Sequence, residues 1–255
     1  MSSSGAYPIR PDRGPIFVSL AGGLLLLALA SAALAAAAPE PVARVIRTLG
    51  TVEAVAPDGT VRRLRRRDSV FEGESLRTGP RGRAQIRFTD RGLMSLRPDT
   101  ELSIDDYEFD ARSPSRARQR LGLRRGGFRA RTGRVAEDNR SGYRVSTPLA
   151  VIGVRGTIWN ASQEPNGPLT LGVDQGGIEA ETTSGRTARL GTGAGFDFAR
   201  INADGSVDYL VEPPAEFGNT APLEDEGEDG DDGDDGATGG DEEGGNLGDA
   251  DDSTV

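Results

Sequence analysis

The chain holds two pairs of acidic residues whose spacing bears on acid–base chemistry: Asp105 with Asp106, and Glu179 with Glu181. Cleavage of a glycosidic bond needs two carboxyl groups that face each other across the substrate. Neighbours in a β-strand point to opposite faces, which excludes Asp105 and Asp106 as a facing pair. Glu179 and Glu181 would share a face, although the same spacing is typical of solvated strand residues. We therefore expect no catalytic pair here.

The amino-acid composition removes most other catalytic chemistry. The sequence contains no His and no Cys, and all 30 of its basic residues are Arg. Nucleophilic triads built on His, Cys–His pairs and zinc sites made of His or Cys are thus excluded. The sequence predicts a protein that is not an enzyme, with no catalytic residue, no cofactor and no specific metal site.

The amino-terminal segment indicates export. Residues 16–38 are apolar and uncharged, two arginines precede them, and Ala35 and Ala37 provide small residues for a signal peptidase. The run is also long enough to span a bilayer. We therefore predict that residues 1–38 are a signal peptide or a membrane anchor. In both cases the rest of the chain lies outside the cytoplasm, in a periplasmic or extracellular location, and it is anchored in the inner membrane if the segment is retained.

The carboxy-terminal segment is acidic. From Leu223 onward it holds fifteen Asp and Glu residues and no basic residue. Such a composition buries too little apolar surface to offset the loss of backbone entropy, so we predict a disordered tail over residues 213–255. Its Asp-Gly repeats lack the spacing of known calcium loops, which leaves weak, non-specific binding of divalent cations as the expectation. Docking of the tail on the arginine-rich part of the chain is a further alternative.

The middle of the chain has the pattern of short strands. Ala84, Ile86 and Phe88 alternate with polar residues, and Asp58-Gly59 separates two apolar-alternating runs as in a β-hairpin. Turn motifs recur about every ten residues, which is typical of a sandwich, barrel or β-solenoid. We predict an all-β domain over residues 44–212, joined to the first segment by a linker at residues 39–43.

One basic cluster falls in this region and is a candidate patch for a polyanion: Arg62, Arg63, Arg65, Arg66 and Arg67. Nucleic acid is not the expected ligand, because the protein is exported and no aromatic residue is interleaved for base stacking. The alternatives are a solvated strand edge, whose charge prevents edge-to-edge pairing, and a surface covered by the acidic tail.

Residues 147–159, Thr-Pro-Leu-Ala-Val-Ile-Gly-Val-Arg-Gly-Thr-Ile-Trp, resemble the signature of the FecR domain, an all-β module of bacterial envelopes. Further segments resemble the FecR pattern in the order in which the family has them: residues 73–79, 84–88, 90–92, 96–102, 121–128 and 173–180. The ordered set is far more specific than any one fragment. The resemblance implies a β-solenoid-like or sandwich stack of short strands.

The signature residues, which we interpret as mainly structural, are Thr147, Pro148, Gly153, Val154, Arg155, Gly156, Thr157 and Trp159. The pattern predicts a tight turn with Arg155 between glycines. The guanidinium of Arg155 would bind carbonyl or carboxylate groups of the turn, or alternatively would be exposed for binding. Trp159, which ends an apolar alternating run, is expected in the core.

The resemblance also bears on function. FecR relatives that regulate sigma factors have a cytoplasmic anti-sigma domain before the membrane span, whereas only about fifteen residues precede the apolar run here. We therefore expect a non-catalytic module that binds or scaffolds in the envelope. An accessory sensor that passes a signal to a separate membrane or sigma-factor regulator is the alternative. The expected partner is an envelope protein or a glycan, with membrane contact only through the first segment.

Overall fold

The structure is a computed structural model and describes residues 39–219. The predicted signal peptide or anchor at residues 1–38 lies outside the described residues, as does the tail from residue 220 onward. None of the described helices is long and apolar enough to cross a membrane.

Within residues 39–219 the chain is almost entirely β-structure, which confirms the predicted fold class. The strands are β1 (Pro41–Leu49), β2 (Val52–Val55), β3 (Val61–Arg63), β4 (Ser69–Phe71), β5 (Ser75–Thr78), β6 (Arg83–Phe88), β7 (Leu93–Leu96), β8 (Glu101–Glu108), β9 (Arg118–Arg131), β10 (Tyr143–Ser146), β11 (Ala150–Gln163), β12 (Leu169–Thr182), β13 (Thr187–Gly191), β14 (Phe198–Ile201) and β15 (Val207–Leu210). The helical elements are α1 (Arg134–Asp138) and two 3-10 turns, Pro114–Arg116 and Ala215–Asn219.

The strands form one hydrogen-bonded network with two layers that share β9, β11 and β12. Layer 1 has the order β3-β2-β5-β8-β9-β10-β11-β12-β13. Layer 2 has the order β4-β1-β6-β7-β9-β11-β12-β14-β15. All these pairs are antiparallel except β9 with β10, which is parallel. Each shared strand of 14 residues pairs in layer 1 at one end and in layer 2 at the other.

Each shared strand has a glycine with positive φ where it passes from one layer to the other. These are Gly126 in β9 (φ 78°), Gly156 in β11 (φ 56°) and Gly176 in β12 (φ 82°). Glycine adopts this backbone region without the steric cost that a Cβ brings. The glycines therefore allow each long strand to bend from one layer into the other.

The alternating apolar residues of both layers form a single hydrophobic core. Layer 1 contributes Leu102 and Ile152, and layer 2 contributes Ile86, Phe128 and Trp159, all of which are fully buried. Burial of this apolar surface is the main favourable contribution to folding. The period-two pattern at residues 84–88 thus lies in β6, as the sequence predicts.

The signature does not form the tight turn that the sequence led us to expect. Residues 150–163 form a single strand, β11, which contains a β-bulge between Arg155 and Ile158. Before the bulge Val154 faces the core, and after it Trp159 does. Because side chains alternate along a strand, only an irregularity between these positions puts both inside. The Gly156-Thr157 dipeptide therefore shifts the register of the strand and does not reverse the direction of the chain.

Candidate binding groove on the signature strand

A groove of about 440 Å³ lies on the outward side of layer 1, across β10 to β13. The first part of the signature strand forms its floor, and charged residues of both signs line it. The main lining residues are Arg144, Gly153, Arg155, Glu179, Glu181 and Arg189.

The centre of the groove is a row of four residues on neighbouring strands: Arg144, Gly153, Glu179 and Arg189 are in register with one another. A Cβ at position 153 would stand 2.9 Å from Nη1 of Arg144, so the glycine leaves the space that this guanidinium occupies. Arg144 Nη1 donates to the backbone oxygens of Arg140 at 3.1 Å and of Tyr143 at 2.9 Å. Arg189 forms an ion pair with Glu179 at 2.8 Å.

The bulge at the end of the groove is held by Thr157. Its hydroxyl accepts a hydrogen bond from the N–H of Arg155 at 3.1 Å and donates one to the carbonyl of Gly177 at 3.0 Å. The N–H of Thr157 donates to Oγ1 of Thr132 at 2.9 Å. Gly156 supplies the positive φ at this point. Thr157 and Gly156 together fix the backbone on which Arg155 stands.

Arg155 is exposed, and within residues 39–219 its guanidinium has no recorded hydrogen bond or ion pair. The interpretation that its donors hold the signature together is therefore replaced: Thr157 has that role. An exposed guanidinium in a groove presents several fixed N–H donors, which suit a carboxylate or another planar anion.

The other signature residues have structural positions. Trp159 is fully buried and packs edge-on against Phe128, with 5.0 Å between ring centroids. Val154 is buried, and Oγ1 of Thr147 accepts hydrogen bonds from the N–H groups of Leu149 at 3.2 Å and Ala150 at 3.0 Å. The latter bonds close the turn that leads into β11. Pro148 is exposed in that turn.

The acidic pairs are engaged in contacts with basic or hydroxyl groups. Asp105 accepts a hydrogen bond from the Ser103 hydroxyl at 2.6 Å, and Asp106 forms an ion pair with Arg118 at 2.7 Å. Glu179 is held by Arg189, as described above, while Glu181 is exposed on the same strand face. The described residues include no group of three or more His, Cys, Asp or Glu side chains that could hold a metal ion.

A second cavity, of about 510 Å³, lies beside the bulge and is lined in part by Asp90, Thr157 and Gln175. Burial raises the pKa of Asp90, although hydrogen bonds from the N–H groups of Gly92 at 3.0 Å and Val135 at 3.1 Å oppose the shift. These bonds tie the end of β6 to α1. The carboxyl group of Asp90 is therefore committed to the fold.

The predicted basic cluster is divided in the structure. Arg62 is bound to Glu74 at 2.8 Å and to the carbonyl of Ser69 at 2.7 Å, with its guanidinium 5.6 Å from the Phe71 ring centroid. Arg63, Arg65, Arg66 and Arg67 are exposed, and β3 is an edge strand that pairs only with β2. The placement fits a charged strand edge, and a role for the cluster in polyanion binding stays a prediction.

The sequence alone did not reveal Arg144 and Arg189 as neighbours of Arg155 in the groove. Arg144 and Arg189 lie 11 residues before and 34 residues after Arg155 in the sequence, and only strand pairing brings them together. The one local indication was Gly153, because a glycine in a strand interior often marks the close approach of another group.

Three comparisons with known proteins bear on this chain. Residues 74–192 match the sequence model of a family described as FecR protein. Two solved structures, at 1.65 Å and 2.50 Å resolution, of a proposed anti-sigma factor from Parabacteroides distasonis ATCC 8503 are similar to the chain, each with 15% identity and a TM-score of 0.41. The similarity covers 53% of this chain and 58% of that one. No curated protein matches the sequence.

Proposed function

Residues 74–192 form a FecR domain, and from this premise we propose that the protein is a non-catalytic binding module of the bacterial envelope with a role in signal transduction. The domain is of a regulatory type, and the groove on its signature strand would hold a partner. The observation that carries the proposal is the position of Arg155: it is exposed in the groove, on a bulge that other residues hold in place.

The lining of the groove favours a polypeptide partner with an acidic side chain. Arg140, Arg144 and Arg155 lie at one side of the groove, and Glu179 is already occupied by Arg189. A carboxylate that binds Arg155 gains charge-assisted hydrogen bonds, which are stronger than neutral ones. Val151, which also lines the groove and is 44% exposed, offers an apolar contact beside the charges.

The family match and the amino-terminal sequence support an exported location. FecR domains are typically periplasmic, and the uncharged run at residues 16–38 has the composition of an export signal or an anchor. We therefore propose a periplasmic or otherwise exported protein.

The test is in-cell crosslinking followed by affinity purification of the tagged full chain, with Arg155→Ala and the matched control Arg116→Ala. Arg116 is also exposed, but it lies in a 3-10 turn away from the groove. We expect the partner to be lost from Arg155→Ala and retained by Arg116→Ala. Equal recovery of the same partner by both variants would reject the groove as the binding site.

The identity of the recovered partner separates two forms of the proposal. A structural envelope protein or a glycan would support a scaffolding role. A membrane-bound regulator would support the accessory sensor, which the match to the FecR family favours.

A further inference from the structure

The outward side of layer 2 carries eight arginines and is strongly basic. The strand register brings most of them together, because the residues on either side of Arg44, Arg87, Arg129 and Arg200 face the core. We call this surface the arginine face, and its members are Arg44, Arg47, Arg83, Arg87, Arg97, Arg129, Arg131 and Arg200. Asp174, which pairs with Arg129 at 2.9 Å, and Asp208 are the carboxylates that lie in these rows of the described strands.

Buried polar atoms of this face lack hydrogen-bond partners. Of seven such side-chain atoms in the described part of the chain, five belong to the arginine face or to residues between its arginines. They are Ser95 Oγ, Arg97 Nε, Arg129 Nε, Asn160 Oδ1 and Arg200 Nε. Buried polar groups in native proteins are nearly always paired. Three of the five are guanidinium donors, so this face is short of hydrogen-bond acceptors.

The end of the described chain lies on the same face. Nη1 of Arg97 donates to the carbonyl of Glu216 at 2.8 Å, and the Arg97 guanidinium stacks 5.2 Å from the Phe217 ring centroid. A Cβ at Gly172 would come within 2.5 Å of the Phe217 ring, so this glycine makes room for the ring on the sheet. Burial lowers the pKa of Arg97 to about 10, with Glu216 opposing the shift, and the guanidinium stays charged at neutral pH.

The sequence that follows is the most acidic part of the protein. Residues 223–255 hold fifteen carboxylates and no basic side chain. We propose that this acidic segment docks on the arginine face of its own chain. The inference goes beyond the proposed function and concerns the side of the molecule opposite to the groove. It also differs from docking on the cluster at residues 62–67, which lies on β3 of layer 1 and on the segment that leads from β3 to β4.

The geometry allows this docking without strain. Phe217 packs on β12, and five strand spacings of about 4.8 Å, or roughly 24 Å, separate β12 from β1 at the far side of the face. An extended chain covers about 3.4 Å per residue, so roughly seven residues cross the face. The acidic segment has 33 residues and begins four residues after residue 219. It is therefore long enough to reach every arginine of the face.

Photo-crosslinking tests the proposal. The protein has no cysteine, so Gly240→Cys in the full chain, purified in mild detergent, carries a single benzophenone label. At low salt we expect crosslinks to peptides that contain residues 83–87 and 129–131. In about 1 M salt, where the Debye length is about 3 Å, we expect these crosslinks to fall at least fivefold. Crosslinks mainly to residues 62–67 or to the groove, or none to layer 2, would overturn the proposal.

Two matched variants and a mixing experiment complete the test. Arg87→Gln with Arg131→Gln should reduce the crosslinks severalfold, whereas Arg120→Gln with Arg124→Gln, two exposed arginines of β9 in layer 1, should leave them unchanged. Equal effects of the two double variants would contradict docking on the arginine face. A mixture of ¹⁵N-labelled and unlabelled chains distinguishes copies by mass, and crosslinks chiefly between copies would assign the segment to a second molecule instead.

Discussion

The guanidinium of Arg144 lies over the Cα of Gly153 on the neighbouring strand, at the centre of the groove. The signature glycine is thus explained by a side chain that is nine residues away in the sequence. Gly176, in contrast, has a backbone oxygen in the place of a side chain: its Cβ would lie 2.2 Å from the carbonyl oxygen of Gly156. The two glycines therefore predict different consequences of the same substitution.

Gly153→Ala should change the free energy of unfolding by less than about 1 kcal/mol, because Arg144 is flexible at its end and alanine reduces the entropy of the unfolded chain. Gly176→Ala should lower it by roughly 1–3 kcal/mol or more, since φ is positive there and backbone blocks the Cβ. Urea unfolding followed by the fluorescence of Trp159, the single tryptophan, measures both. A larger loss for Gly153→Ala than for Gly176→Ala would contradict the geometry.

Thr157→Val should destabilise the protein, because the variant keeps the shape of the side chain and loses its hydroxyl. The N–H of Arg155 and the carbonyl of Gly177 would lose their partner, at a cost of about 1–3 kcal/mol. Arg155→Ala should stay within about 0.5 kcal/mol of the wild type, as is usual for an exposed residue without a structural contact. Thermal unfolding of both variants provides the comparison, and a clear loss of stability in Arg155→Ala would restore the structural role that the sequence suggested.

Phe217→Ala should release the last described segment from layer 2. The ring fills the space over Gly172 and stacks on Arg97, and its removal should expose the backbone at Glu212 and Glu216 to a glutamate-specific protease. We expect cleavage at these two sites to become severalfold faster. Phe196→Ala is the control, because Phe196 stacks on Tyr209 at 4.9 Å and is 41% exposed. Equal acceleration in both variants would show that Phe217 does not hold the segment.

Asp90 predicts a pH dependence whose sign is fixed by its raised pKa. The native state binds this proton more tightly than the unfolded state, in which the pKa is about 3.9. The contribution of Asp90 to the free energy of unfolding therefore falls as the pH rises from that value through the raised native pKa, and is constant above it. The free energy of unfolding of the wild type minus that of Asp90→Asn, measured by urea unfolding between pH 3 and 8, isolates the contribution of this residue. A difference that grows with pH would mean that its pKa is lowered instead.

The all-β class was predictable because side-chain alternation is a local property of the sequence. Residues 84–88 alternate and form β6, and Asp58-Gly59 lies between β2 and β3, which pair as a hairpin. The order of the FecR-like segments also agrees with the family match at residues 74–192. These features need no knowledge of which strands pair over long distances.

The bulge and the groove were not predictable in the same way. Gly-Val-Arg-Gly-Thr is equally compatible with a turn and with a bulge, and the pairing of β11 with both β9 and β12 decides between them. The role of Thr157 depends on Thr132 and Gly177, which lie on those two strands. The arginine face was hidden for a related reason: its members come from four strands (β1, β6, β9 and β14) and from the residue after β7, and each of these contributes only one or two of them.

The sharing of β9, β11 and β12 between the layers limits how this fold can change in evolution. A recombination junction within residues 118–182 would pair strands from two different parents in both layers at once. The reason is that each shared strand has partners in both layers. The hairpin of β2 with β3 and the hairpin of β14 with β15 each attach to the network through a single strand. Inheritance should therefore keep the three shared strands as one block, while lineages gain, lose or replace these two hairpins.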